Sequence, residues 1–244
     1  MPELRVYRSP WRDFPDVIIQ TNMTKLQAHP AYRAAKEGDM VAAFRVVESV
    51  RKPSKLRWET DEIVAVAQFD RDKKNALPIA YAILLGREMG IPVNRTVIQE
   101  NIVSHTGANA PTRILGQPIF DGSIPPGKRI LIVDDVVTFG ATLANLRGFI
   151  ESRGSTVVGA STLSASYGGT KLALPEHVKE TLFGRFPSVA GLAHELGFEP
   201  DCFTNREARF LSNLKEQERT ALMAAVKDRQ QVRTQGIDLD RRPS

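Results

Sequence analysis

The chain has one cysteine, Cys202, so it can form no disulfide within itself, which predicts a reducing, cytoplasmic setting. Its four histidines are scattered and, with that single thiol, offer no metal-ligand cluster. No run approaches ~18 consecutive apolar residues, so no membrane-spanning helix is expected. The opening residues, Met1 to Pro10, lack the apolar centre of a secretory signal. Aromatic residues make up 7% and are not interleaved with basic ones as on a base-stacking surface. A net charge of +5 therefore suits small anions such as phosphates, and nucleic acid is not expected as a partner. There is no internal repeat or long low-complexity tract. What remains is a chain of 244 residues, 42% hydrophobic, long enough for one sizeable core with additions.

The most informative stretch runs from Arg129 to Thr142. Ile130 to Val133 are consecutive aliphatics and read as a short strand buried on both faces, as in a parallel sheet. Asp134 and Asp135 stand at its carboxyl end. Thr138, Phe139, Gly140, Ala141 and Thr142 form a small-residue turn that opens a helix. Leu143, Leu146, Phe149 and Ile150 mark one face of that helix, and Gly154 is a stop signal. Strand, loop and helix N-terminus together make an anion site, because free N–H groups and the positive end of the helix dipole point into the loop. A sugar phosphate suits such a site. The loop would hold the phosphate, while two adjacent carboxylates accept from vicinal hydroxyls or help hold a hydrated Mg2+.

This run resembles the phosphoribosyl-diphosphate (PRPP) signature of the type I phosphoribosyltransferases: hydrophobic strand, Asp-Asp, two aliphatics, then Thr-Thr-Gly-Gly/Ala-Thr. The second Thr is replaced here by Phe139. The resemblance implies an α/β fold, an open and mostly parallel sheet flanked by helices, with N- and C-terminal, mainly helical additions. It implies transfer of 5-phosphoribose from PRPP to a nitrogenous acceptor with release of pyrophosphate. Asp134 and Asp135 would hold the ribose hydroxyls and Thr138 to Thr142 the 5′-phosphate, with Mg2+ as cofactor, held by Asp134 and Asp135. Members acting on 6-oxopurines carry an acid at the position of Thr138, so such an acceptor is disfavoured.

The rest of the chain fits around that core. Val17 to Ile19 reads as an edge strand or part of a cap. Two short helices follow, His29 to Lys36 and Met40 to Val50, and then a cationic connector. Ile63 to Phe69 is a core strand leading into a helix from Ala76 to Met89, with Asn75 as N-cap, Pro78 in the first turn and Gly90 at the end. The turn between them matches the family's pyrophosphate site, but it is charged and lacks glycine. Arg71, Lys73 and Lys74 are its candidate pyrophosphate ligands. Ile91 to Val93 and Thr96 to Ile98 read as a strand and its extension. Ser104 to Lys128 shows no period and corresponds to the family's flexible catalytic loop, in which Arg113 is the candidate PRPP contact and His105 a weaker one. Thr156 to Leu163 is another core strand, and Ser164 to Gly169 at its end faces the acceptor.

Helices are expected over Leu172 to Phe183 and Val189 to Leu196. A long one should start from the Thr204–Glu207 capping box and reach about Gln230. The expected organisation is an extension or hood over residues 1–60, a phosphoribosyltransferase-like core over 61–165, a packed helical segment over 166–230 and a tail over 231–244. A homodimer or a partner protein is the expected assembly. Two other functions stay open: a catalytically silent PRPP- or nucleotide-binding regulator on the same scaffold, and an RNA-binding regulator suggested only by the basic pI of about 9.4.

Overall fold

The computed structural model describes residues 6–52, 59–67, 75–101, 114–166 and 169–234, with side chains to residue 228. Its centre is a five-stranded sheet of β1 (Ile18–Ile19), β2 (Glu62–Ala65), β3 (Val93–Asn94), β6 (Arg129–Val137) and β7 (Thr156–Ala165), in the spatial order β1-β7-β6-β2-β3. Every pairing in it is parallel. Parallel strands need both faces covered, and the side chains alternate accordingly. Ile63, Ala65, Leu131 and Val133 pack with α3 (Met40–Val50) and α4 (Leu77–Met89), whereas Val64, Ile130 and Ile132 pack with α5 (Ala141–Ser152). The fold is thus the expected open α/β sheet between helical layers.

The short helices α1 (Met23–Gln27) and α2 (Tyr32–Lys36) join the α3–α4 layer, where Leu26 and Ala35 are fully buried. On the opposite side, α6 (Glu176–Arg185), α7 (Val189–Leu196), α8 (Asn205–Asn213) and α9 (Glu216–Thr234) build a second apolar cluster that also takes in Val6, Ile114 and Ile119. Residues from Val6 to Phe14 run between α5 and this C-terminal cluster. They lie so close that a Cβ on Gly148 would meet the Tyr7 carbonyl at 2.4 Å. Arg147 holds them there, donating to the carbonyls of Ser9 and Pro10 and stacking on Trp11 and Phe14.

Several boundaries differ from the sequence reading. β6 continues through both acids to Val137, because β7 goes on pairing with it as far as Ala165 after the β2 register ends at Val133. The extension after β3 leaves the sheet. The Asn94 side chain accepts the N–H groups of Thr96 and Val97 and turns the chain, so that β4 (Ile98–Gln99) pairs antiparallel with β5 (Phe120–Asp121) inside the expected loop. The α6 helix starts only after Pro175, which serves as its N-cap. The single long C-terminal helix is two. Leu214 is extended, and the Glu218 carboxylate accepts the Lys215 N–H at 2.7 Å to begin α9.

Candidate functional site

The strand order defines a crevice before any motif is considered. From β2 the chain passes through α4 to β3 on one side, and from β6 it passes through α5 to β7 on the other. The connections diverge between β2 and β6, and open α/β sheets bind ligands at the carboxyl ends of strands at such a switch point. Asp134 and Asp135 sit there, 8% and 5% exposed, and the Asp135 N–H donates to Asp134 Oδ1 at 2.8 Å.

A third charge completes the pair. Lys36 of α2 donates to Asp135 Oδ2 at 2.9 Å. Burial alone would lower the Lys36 pKa, but the charge and hydrogen bond of Asp135 outweigh it and the pKa is raised. Tyr32, one turn earlier, is raised by its own burial, with Asp135 adding to the effect. Asp134 is pushed well above the ordinary carboxylate range, first by desolvation and then by the charge of Asp135. The sign for stability follows from proton binding. The folded chain keeps a proton on Asp134 at pH values where the unfolded chain has lost it, so this group's contribution falls as pH rises from the ordinary carboxylate range through the folded pKa. Asp134→Asn is therefore expected to raise stability near neutral pH by about 1 kcal/mol and to flatten that decline, read from urea unfolding at several pH values.

The loop after β6 has the geometry an anion needs. Gly140 is the N-cap of α5 with φ 85°, and no side chain caps the helix, so the first-turn N–H groups have no such partner. Thr138 and Thr142 are half-buried at its two ends. The loop leans on the C-terminal unit: Thr204 Oγ1 donates to the Phe139 carbonyl at 2.6 Å, and the Phe139 ring packs edge-on against Phe210 of α8, with centroids 5.7 Å apart. This accounts for the phenylalanine where the resembled signature has threonine. Its side chain serves as an anchor, turned towards α8.

The end of β7 borders the same loop. Ser166 donates its N–H to the Val137 carbonyl, and its hydroxyl lies 3.4 Å from that of Thr138. Arg206 of α8 donates to the Ser166 carbonyl at 2.5 Å, with its guanidinium 5.9 Å from the Phe139 ring centre. The buried Ser164 hydroxyl has no hydrogen-bond partner among the described residues.

The structure thus brings Asp134, Asp135 and the Thr138–Thr142 loop to one crevice. Arg71, Lys73, Lys74, His105 and Arg113 lie outside the described residues. Lys36, Tyr32, Thr204 and Arg206 were missed by the sequence reading. The Thr204–Glu207 capping box is real, but nothing in it signals contact with a loop more than sixty residues earlier.

No family model matches the chain. Over 70% of its length it is 34% identical to Protein TraN of Escherichia coli, covering 40% of that protein. Over 61% it is 34% identical to an uncharacterized protein of Haemophilus influenzae, covering 35% of it. The chain spans less than half the length of both relatives. Among solved structures it is similar to the adenine phosphoribosyltransferase of Rhodothermus marinus, at 16% identity over 66% of this chain and 94% of that one, with a TM-score of 0.33. It is also similar to the purine phosphoribosyltransferase of Pyrococcus horikoshii, at 16% identity over 62% and 78%, with a TM-score of 0.32. Scores this low carry no statement about chemistry. Among the described residues, no helix is long and apolar enough to cross a membrane.

Proposed function

We propose that the crevice between β2 and β6 binds PRPP and that the protein transfers 5-phosphoribose to a nitrogenous small-molecule acceptor, releasing pyrophosphate. One observation carries this reading: two buried carboxylates and an uncapped helix N-terminus on a positive-φ glycine meet at the sheet's switch point. The carboxylates would accept the ribose hydroxyls, and the Thr138–Thr142 loop would take the 5′-phosphate. Catalysis would consist of positioning, water exclusion and neutralisation of the leaving pyrophosphate as the ribose approaches an oxocarbenium ion. Ser164 to Ser166 would border the acceptor, and Arg71, Lys73, Lys74 and Arg113 would supply cations. Residues 1–60 would act as a hood over the core, a role supported by α2 lying over the acid pair. A cytoplasmic setting and a homodimer or partner complex belong to the same proposal.

Mg2+ fits the acid pair poorly. Asp135 Oδ2 is engaged by Lys36, Asp134 Oδ1 by a backbone N–H, and no group of three candidate ligands exists among the described residues. Any magnesium would belong to the diphosphate of PRPP. The engagement of Asp135 by Lys36 also favours the second reading, a PRPP-binding regulator without turnover.

Calorimetric titration of PRPP into the wild type and an Asp134→Asn, Asp135→Asn double variant tests the site. Micromolar binding that weakens about 100-fold in the variant is expected, the scale for losing two charge-assisted hydrogen bonds. No binding to the wild type would discard the proposal. Release of labelled pyrophosphate with one base from a panel separates the enzyme from the silent binder.

A further inference from the structure

We infer that Lys36 is the built-in counter-cation of the acid pair, taking at Asp135 the place that a divalent metal ion would otherwise fill. The inference deepens the phosphoribose reading and rests on it for the identity of the ligand, though not for the cation itself. The Asp135 carboxylate, less than a tenth exposed in the crevice and directly beside Asp134, needs a compensating charge. The Lys36 ammonium supplies it at 2.9 Å from Asp135 Oδ2.

The delivery of that ammonium is structural. Lys36 ends α2, whose Ala35 is fully buried in the α3–α4 layer. The Ala35 carbonyl accepts the N–H of Ala76 at 3.0 Å, the residue that caps α4 on the far side of the switch point. The segment therefore straps across the crevice, bonded to the entrance of α4 by its backbone and to β6 by its last side chain.

The chemical consequence concerns how a diol is read. Vicinal hydroxyls donate hydrogen bonds but bring no charge, so the Asp135 carboxylate still needs its cation when sugar is bound. A fixed ammonium meets that need, whereas a hydrated divalent ion would face a neighbouring positive charge and a depleted set of oxygens. Lys36 acts through Asp135 and is a positioning residue.

Mn2+ binding, followed by electron paramagnetic resonance, tests this without any turnover. The wild type and Lys36→Arg should leave Mn2+ free. Lys36→Met should bind it about tenfold more tightly or better, since one positive charge beside the pair is gone. The gain should vanish when Asp135→Asn is added. If Lys36→Met does not fold, Lys36→Gln, which keeps a polar tip without charge, replaces it. Equal Mn2+ affinity in the wild type and the neutral variant, or tight Mn2+ binding by the wild type, overturns the inference. PRPP titration into the wild type judges the ligand separately. Its failure alongside the expected Mn2+ results would discard phosphoribose and leave Lys36 as the internal cation.

Discussion

Arg8→Met is expected to destabilise the fold by about 3–5 kcal/mol, the range for stranding one partner of a buried ion pair. The Arg8 side chain is fully buried and Glu207 is 1% exposed. The guanidinium donates Nη1 and Nη2 to the two Glu207 oxygens at 2.7 and 2.9 Å, Nε to Asn145 at 2.6 Å and Nη2 to Gln117 at 2.8 Å. It also lies 4.2 Å from the Phe198 ring centre. One side chain thus joins α5, the stem of the long loop and the capping box of α8. The cost comes from the stranded carboxylate more than from the attraction lost, since Glu207 would keep, among the described residues, only the Thr204 N–H and remain buried. A double variant, Arg8→Met with Glu207→Leu, should accordingly be no worse than the single one. Arg33→Met is the control: its ion pair with Glu37 is 90% and 60% exposed, and its loss should cost below ~0.5 kcal/mol. Urea unfolding midpoints read all three. An Arg8 cost no greater than that of Arg33 would refute the assignment.

Gly140→Ala is expected to cost about 2–4 kcal/mol, adding left-handed strain to overpacking. At φ +85° a side chain is already disfavoured, and its Cβ would meet Leu172 Cδ2 at 2.4 Å and Thr204 Cγ2 at 3.3 Å. Gly127 separates the two contributions. It has φ +76°, and a Cβ added there would meet nothing within 4 Å, so Gly127→Ala carries the backbone strain alone, about 1–2 kcal/mol. The difference measures how firmly the loop after β6 is pressed against Leu172 and Thr204. On the proposed function, Gly140→Ala should also weaken PRPP binding while Gly127→Ala leaves it unchanged. Equal unfolding costs for the two would mean that Leu172 moves aside freely and the loop is not buttressed.

What could be read from the sequence was what is local. β6, the α5 helix, the Gly90 stop and the Thr204–Glu207 cap each follow from a few neighbouring residues, and so does the strand-acid-loop-helix order that puts Asp134, Asp135 and the Thr138–Thr142 loop side by side. The rest depends on contacts distant in sequence. Lys36 lies 99 residues from Asp135, and nothing in Tyr32–Lys36 distinguishes it from the other lysines on short helices. Arg8 sits in a stretch without periodicity. The end of the β2 register at Val133, with β7 still paired, decides how far β6 runs, and strand length on one edge leaves no local mark. The break at Leu214 was hidden because apolar spacing continues across it.

The crossing of α5 by the first described residues also bears on the order of synthesis. Arg8 precedes its partners in the chain by 109 to 199 positions. The sheet helices can condense while the chain is still growing, but this arginine must wait for Glu207 before it can be buried with its charge met. Contacts of such long sequence separation slow folding and prolong the exposure of a half-built interior. The α5 face therefore closes late, only once the segment that carries Glu207 has been made.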